Sequence, residues 1–293
     1  MRFESPDAFL GQVLHAFRPY LDTLVLIGGF AVRCYALHPR AVPTDLRVLR
    51  TFDADFALPP RVAPIGGQTL AALAAAAGFA PDFRGDFIPP VMKFVPVESA
   101  ASPRAGSSEA YSIEFLTPLI GRADDPEGRP LVTTDVQAGL TAQRLRYLDL
   151  LLEEPWAVSI EGMPGIPVAE PPLEVRLPHP GCFLVQKFLI ADKRDPETER
   201  PKDMAYVYQV IQLFSRDLAQ LAETVRTILE TSAAQRSWLE RARGIAGTLF
   251  ASPGSPGVTE GRRALEAELV GTGVTIPSAA QIHAAVRVFL RAL

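Results

Sequence analysis

Two aspartates one residue apart, Asp53 and Asp55, lie in the run Phe52-Asp53-Ala54-Asp55-Phe56-Ala57-Leu58. The alternation predicts a strand with both acids on one side and Phe52, Ala54 and Phe56 on the other. Carboxylates at i and i+2 of a strand stand roughly 7 Å apart, which lets them share one hard cation or hold two. Aspartate is disfavoured in strands, so a pair on one face of a Phe-lined strand calls for an explanation. Upstream, the apolar residues 24–27 run into Gly28-Gly29 and then a helical pattern. A glycine pair opening a helix leaves backbone N–H groups open to a phosphate. Taken alone, Gly28-Gly29 is an ordinary strand–helix turn, and the sequence holds neither G-x-G-x-x-G nor G-x-x-x-x-G-K-[ST]. Magnesium favours a few carboxylates completed by substrate phosphate oxygens. Taken together, the features suggest metal-assisted phosphoryl or nucleotidyl transfer.

The elements that must position these residues are legible in outline. Ser5-Pro6 starts a helix as N-cap and first helical residue, and Phe9, Leu10, Val13, Leu14 and Phe17 share its apolar face. Residues 30–38 are expected to be helical, stopped by Pro39 and Pro43. An alanine-rich helix follows Gly66-Gly67 and closes near Gly78. Residues 91–97 and 111–116 are strand candidates, joined by a hairpin loop over 98–108. Residues 121–139 read as a polar loop, and 143–153 as a packed, helical segment with Leu-rich strands as the alternative. Residues 156–160 and 173–177 are further strands. From about Gly181 the periodicity is helical, and Ser232 with Gln235 and Ser278 with Gln281 fit the capping box. The expected organisation is α+β: a mixed β-sheet domain with flanking helices over residues 1–178, then a helical domain over 179–293.

Composition narrows the function classes. The chain has 293 residues, 48% hydrophobic and 21% charged, values of a folded globular protein. Its net charge of −4 argues against a broadly basic nucleic-acid surface. Residues 33–50 nonetheless hold Arg33, Arg40, Arg47 and Arg50 against one acid, Asp45. No apolar stretch approaches the ~20 residues of a membrane span, and the charged N-terminus is no secretory signal. Cys34 and Cys182 are too few for a disulfide framework and point to a reducing cytoplasm.

The run LIGGFAVRCYALHPR…LRTFDADF resembles the first motif of the DNA polymerase beta-type nucleotidyltransferase superfamily: strand, Gly-Gly or Gly-Ser, helix, then an Asp-x-Asp strand often preceded by Arg-x-Thr. Arg50 and Thr51 stand just before Phe52-Asp53. YSIEFLTPLIG supplies Glu114 where the superfamily places its third carboxylate, although aspartate is commoner there. Downstream, LPHPGCFLVQKFLIADKRDPETERPKDMAYVYQVIQLF is similar to the helical segment of uncharacterised and toxin-type members. The resemblance implies a mixed-sheet fold and transfer of a nucleoside monophosphate from an NTP to an acceptor hydroxyl. It implies Mg²⁺ (or Mn²⁺) on Asp53, Asp55 and Glu114. Gly28, Gly29 and Lys187 would hold the triphosphate, with Asp203 supporting Lys187. Arg33, Arg50 and Thr51 are further nucleotide-binding candidates. The acceptor is left open between RNA, with tRNA one case, protein and small molecules.

Two other readings accompany this one. One is a catalytically silent nucleotidyltransferase-like module that binds a nucleotide or a protein. The other is the toxin half of a toxin–antitoxin pair, with an antitoxin partner. His15, His38, His179 and His283 have no zinc-ligand spacing. Ser112 lacks a nucleophile-elbow context. Lys93, beside Phe94, faces either the cleft or solvent.

Overall fold

The structure, a computed structural model, describes residues 3–45, 48–100, 111–128, 130–163, 165–166 and 169–293. Arg47 and most of the expected hairpin loop over 98–108 lie outside these residues. The chain divides into two compact units, residues 1–34 with 51–178, and residues 35–50 with 179–293. By packing, residues 35–50 therefore group with the C-terminal helices.

The first unit is built on a mixed nine-stranded sheet. Its elements in order are α1 (Pro6–Ala16), β1 (Val25–Ile27), α2 (Gly28–Tyr35), β2 (Asp53–Ala57), α3 (Leu70–Ala76), β3 (Phe79–Arg84), β4 (Val91–Pro96) and the single turn α4 (Val97–Ala100). Next come β5 (Ser112–Pro118), β6 (Thr133–Gln137), β7 (Leu140–Leu145), β8 (Trp156–Ser159) and β9 (Glu174–Leu177). The main path of the sheet runs β3-β4-β5-β2-β1-β9-β8, and β7 joins β5 to β6. α1 starts as the sequence predicts: the Ser5 side chain accepts from the Ala8 N–H, and Pro6 occupies the first turn. α2 ends at Tyr35, one turn short of the expected His38.

Register decides which face each residue takes. β2 pairs antiparallel with β1, Ile27 against Asp55 and Val25 against Ala57. On its other side β2 pairs in parallel with β5, Asp53 against Ser112 and Asp55 against Glu114. The face opposite the acids is aromatic. Phe17 of α1 meets Phe56 and Phe115 edge-on, with centroids 5.9 and 5.5 Å away. All three rings are fully or almost fully buried, each worth ~1.5–3 kcal/mol against exposure. The acid face turns apolar further along, where Val25, Ile27, Ala57 and Leu116 pack with Leu148 and Leu151. The same two strands thus carry a polar patch at one end and a hydrophobic cluster at the other.

Two expectations fail in this unit. The polar loop over 121–139 contains β6, which pairs with β7 through a register shift between Asp135 and Gln137. The helical reading of 143–153 fails, while its strand alternative holds for the first residues: the segment is the end of β7 followed by a 3₁₀ turn, Asp149–Leu152. Its leucines are buried, Leu150 and Leu151 at 1–2% exposure, but at turn spacing.

The second unit holds α5 (Pro180–Ile190), α6 (Arg200–Leu213), α7 (Leu218–Glu230), α8 (Ala233–Leu249), α9 (Pro256–Leu269) and α10 (Ala279–Ala292). α10 opens with the capping box read in the sequence, Ser278 with Gln281. α6 and α9 approach closely because Gly261 has no side chain: a Cβ there would sit 3.1 Å from the Met204 backbone. Arg200 bridges the same pair with two bonds to Glu260, at 2.8 and 2.6 Å. Segment 35–50 is tied in by the Val42 N–H on the Leu213 carbonyl at 2.6 Å and by Arg40 on Asp217 at 2.9 Å. Among the described residues, no helix is long and apolar enough to cross a membrane. Cys34 and Cys182 are both free and buried. Burial pushes the Cys34 thiol up to about 12, which makes it inert at neutral pH.

Candidate active site

The polar patch of the first unit is assembled by three strands and one helix end. β2 presents Asp53, exposed, and Asp55, half-buried, on one face. β5 contributes Ser112 beside Asp53 and Glu114 beside Asp55. β4 pairs with β5 so that Lys93 stands opposite Glu114. Asp55, Glu114 and Lys93 therefore form a row across three strands, spaced by the ~4.8 Å between neighbouring strands.

Each side chain has a local anchor. The Ser112 hydroxyl donates to Asp53 Oδ1 at 2.6 Å, and Ser112 itself is buried. The Lys93 ammonium donates to Glu114 Oε1 in an ion pair whose side chains are only 24% and 17% exposed. Gly28 opens α2 with φ +68°, a backbone conformation that glycine adopts without strain. A Cβ at Gly28 would lie 2.6 Å from Asp55 Oδ2. The Asp55 carboxylate thus sits against the start of α2, where N–H groups lack intrahelical partners and the helix dipole is positive.

The donor set suits a hard divalent cation: two carboxylates on one face, one steadied by a hydroxyl and the other against a glycine that leaves space. Among the described residues, no group of three or more His, Cys, Asp or Glu side chains is placed to hold an ion together. Asp55 and Glu114 are brought side by side, but Lys93 occupies Glu114.

The other candidates fall elsewhere. Arg33, on the last turn of α2, holds the buried carboxylate of Asp7 and fastens α2 to α1. Thr51 is half-buried just ahead of β2. Arg50 is exposed in the second unit, lining a cavity with Glu197, Lys202, Arg263 and Glu268. Lys187 and Asp203 pair within the second unit at 2.6 Å, with both side chains 7% exposed. The Lys187 ammonium also lies over the rings of Phe183 and Tyr206, 5.3 and 6.0 Å from their centroids. Arg194 takes the other Asp203 oxygen at 3.1 Å.

Ser112, which lacks a nucleophile-elbow context, and Lys93, which by sequence faces either cleft or solvent, both join the patch. A signal was present for both. Ser112 precedes Glu114 by two residues, as Asp53 precedes Asp55, so the paired strands align them. Lys93 sits between the buried Met92 and Phe94. Strand alternation alone sends it to the face opposite theirs.

The model of a nucleotidyltransferase family matches residues 9–230, about three-quarters of the chain, and the chain belongs to that family. The matched span runs from α1 to the end of α7 and includes every residue named in the polar patch. Neither the curated proteins nor the solved structures give a match. Family membership makes nucleotidyl transfer the general activity and a nucleotide the substrate.

Proposed function

We propose that the chain transfers a nucleoside monophosphate from an NTP to an acceptor hydroxyl in a metal-dependent reaction of the polymerase beta type. The observation that carries this reading is the placement of Asp53 and Asp55 on one face of β2, with Asp55 against the start of α2. Asp53 and Asp55 are the residues that would hold Mg²⁺ (or Mn²⁺), which when bound would offset the charge of the triphosphate. The backbone N–H groups of Gly28 and Gly29, at the start of α2, would hold phosphate oxygens. Ser112 keeps Asp53 in one orientation. Glu114, paired with Lys93, accepts the proton of the acceptor hydroxyl as that oxygen bonds the α-phosphorus. The bond from the α-phosphorus to its bridging oxygen breaks, and pyrophosphate leaves. Catalysis is then mostly positioning and charge stabilisation.

The test is a screen of labelled NTPs with Mg²⁺ against total RNA, lysate proteins and aminoglycoside-type small molecules, read as label transfer and pyrophosphate release. Asp53→Asn and Asp55→Asn are each expected to lower transfer by at least ~100-fold, with circular dichroism unchanged. Full activity in both variants removes the assignment. Growth arrest on expression, relieved by Asp53→Asn, would mark the toxin role and an antitoxin partner.

The Lys93–Glu114 pair favours a second reading, a silent module that binds nucleotide without turnover. Calorimetry showing NTP binding, with no transfer to any acceptor class, supports that module over the enzyme.

A further inference from the structure

We infer that the Lys93 ammonium stands where a second divalent cation would otherwise be required, so that the site holds a single metal ion on Asp53 and Asp55. The inference rests on the metal-dependent reading above and specifies its cation requirement. Asp55 and Glu114 are direct neighbours in the parallel pairing of β2 with β5. Two carboxylates on one face at adjacent-strand distance repel unless a cation lies beside them. Lys93 is the next residue in that row, and its ammonium is already on Glu114 Oε1. Glu114 is therefore engaged by a fixed, protein-borne charge.

The row is also set to last. Lys93 projects from the middle of β4, a strand paired on both sides, with β3 and with β5. Its neighbours Met92 and Phe94 are buried, and Phe94 meets Phe115 edge-on at 6.0 Å on the opposite face. The ammonium cannot leave the row by a small shift of backbone. A strand-held lysine supplies one unit of positive charge that does not have to be bound from solution. A second divalent ion would have to be bound from solution.

Counting bound Mn²⁺ tests this without measuring turnover. Mn²⁺ is titrated into the full chain, and the free ion is followed by electron paramagnetic resonance. The wild type is expected to take up a single ion, lost in Asp55→Asn. Lys93→Met removes the ammonium from Glu114 and is expected to take up a second ion. Lys93→Arg and the double variant Lys93→Met/Glu114→Gln should both return to a single ion. Two ions on the wild type, or one ion on a folded Lys93→Met, overturns the inference while leaving the metal reading intact. Should Lys93→Met not fold, Glu114→Gln decides alone: uptake equal to wild type supports the inference, and loss of an ion overturns it. Uptake that does not depend on Asp53 or Asp55 instead sinks the metal reading itself, and the inference with it.

Discussion

At Gly28 the fold leaves no room for even a methyl group, because a Cβ there would meet Asp55 Oδ2 at 2.6 Å. Gly28→Ala therefore does two things. It places an L-residue at φ +68°, which costs about 1–2 kcal/mol. It also pushes the Asp55 carboxylate out of place, for which activity is expected to fall on the order of 100-fold. A melting curve should show a loss of about 2–8 °C alongside that fall in pyrophosphate release. A variant with lowered melting temperature but unaltered transfer would separate Gly28 from the site. Asp53, Asp55 and Gly28 were readable in the sequence because their chemistry is set by local pattern: i and i+2 on a strand, glycine before a helix. Lys93 and Ser112 were not assigned because their partners, Glu114 and Asp53, lie 21 and 59 residues away in sequence and meet only through strand register. Arg33 and Arg40 contribute to the basic look of residues 33–50, yet each is engaged by an acid of its own unit, Asp7 and Asp217.

At the scale of elements, α5 and α6 are joined by the Lys187–Asp203 pair, buried to 7% exposure on each side. Removing one partner of a buried ion pair strands the other charge, at a cost of roughly 3–5 kcal/mol. Asp203→Leu is expected to lose that amount in urea unfolding, while Lys187→Met/Asp203→Leu recovers most of it. A Lys187→Met variant within about 0.5 kcal/mol of wild type would rule out a structural pair and favour the phosphate-binding role that the family resemblance implies. Helices were the more legible elements, since caps such as Ser5 and the Ser278–Gln281 box act within one turn. Strands were harder. β3 carries Pro81 and lies at the edge of the sheet, where proline is tolerated, so its sequence lacks a strand signature. β6 is rich in Thr, Asp and Gln, and its bulge breaks the alternation that would have revealed it. The leucines at 148 and 150–152 suggested a helix because burial, without periodicity, does not distinguish a packed turn from a helical stripe.

For the molecule as a whole, acid stability should turn on His179. Its Nδ1 accepts from the Gly181 N–H at 3.2 Å at the start of α5. Burial, assisted by Arg40, lowers its pKa from 6.5 to about 4. The unfolded chain therefore binds this proton first as pH falls. Stability from the neutral imidazole is complete above pH 6.5 and drains away toward pH 4. The total is about 3 kcal/mol by the linkage relation. His179→Asn keeps a capping oxygen but cannot titrate, so its melting temperature should fall less than wild type between pH 7 and pH 4. Parallel curves for the two proteins would show that another group governs the acid limb. The division of the chain has a consequence of a different kind, in the timing of synthesis. Residues 35–50 leave the ribosome early, but their partners lie in the helices after residue 178. The Val42 N–H finds the Leu213 carbonyl only after a wait of roughly 10–30 s at ordinary elongation rates. During that interval the strands on either side of the segment must pair around a stretch of chain that has nowhere yet to dock. Residues 35–50 therefore stay undocked on the nascent chain well before its last helix exists.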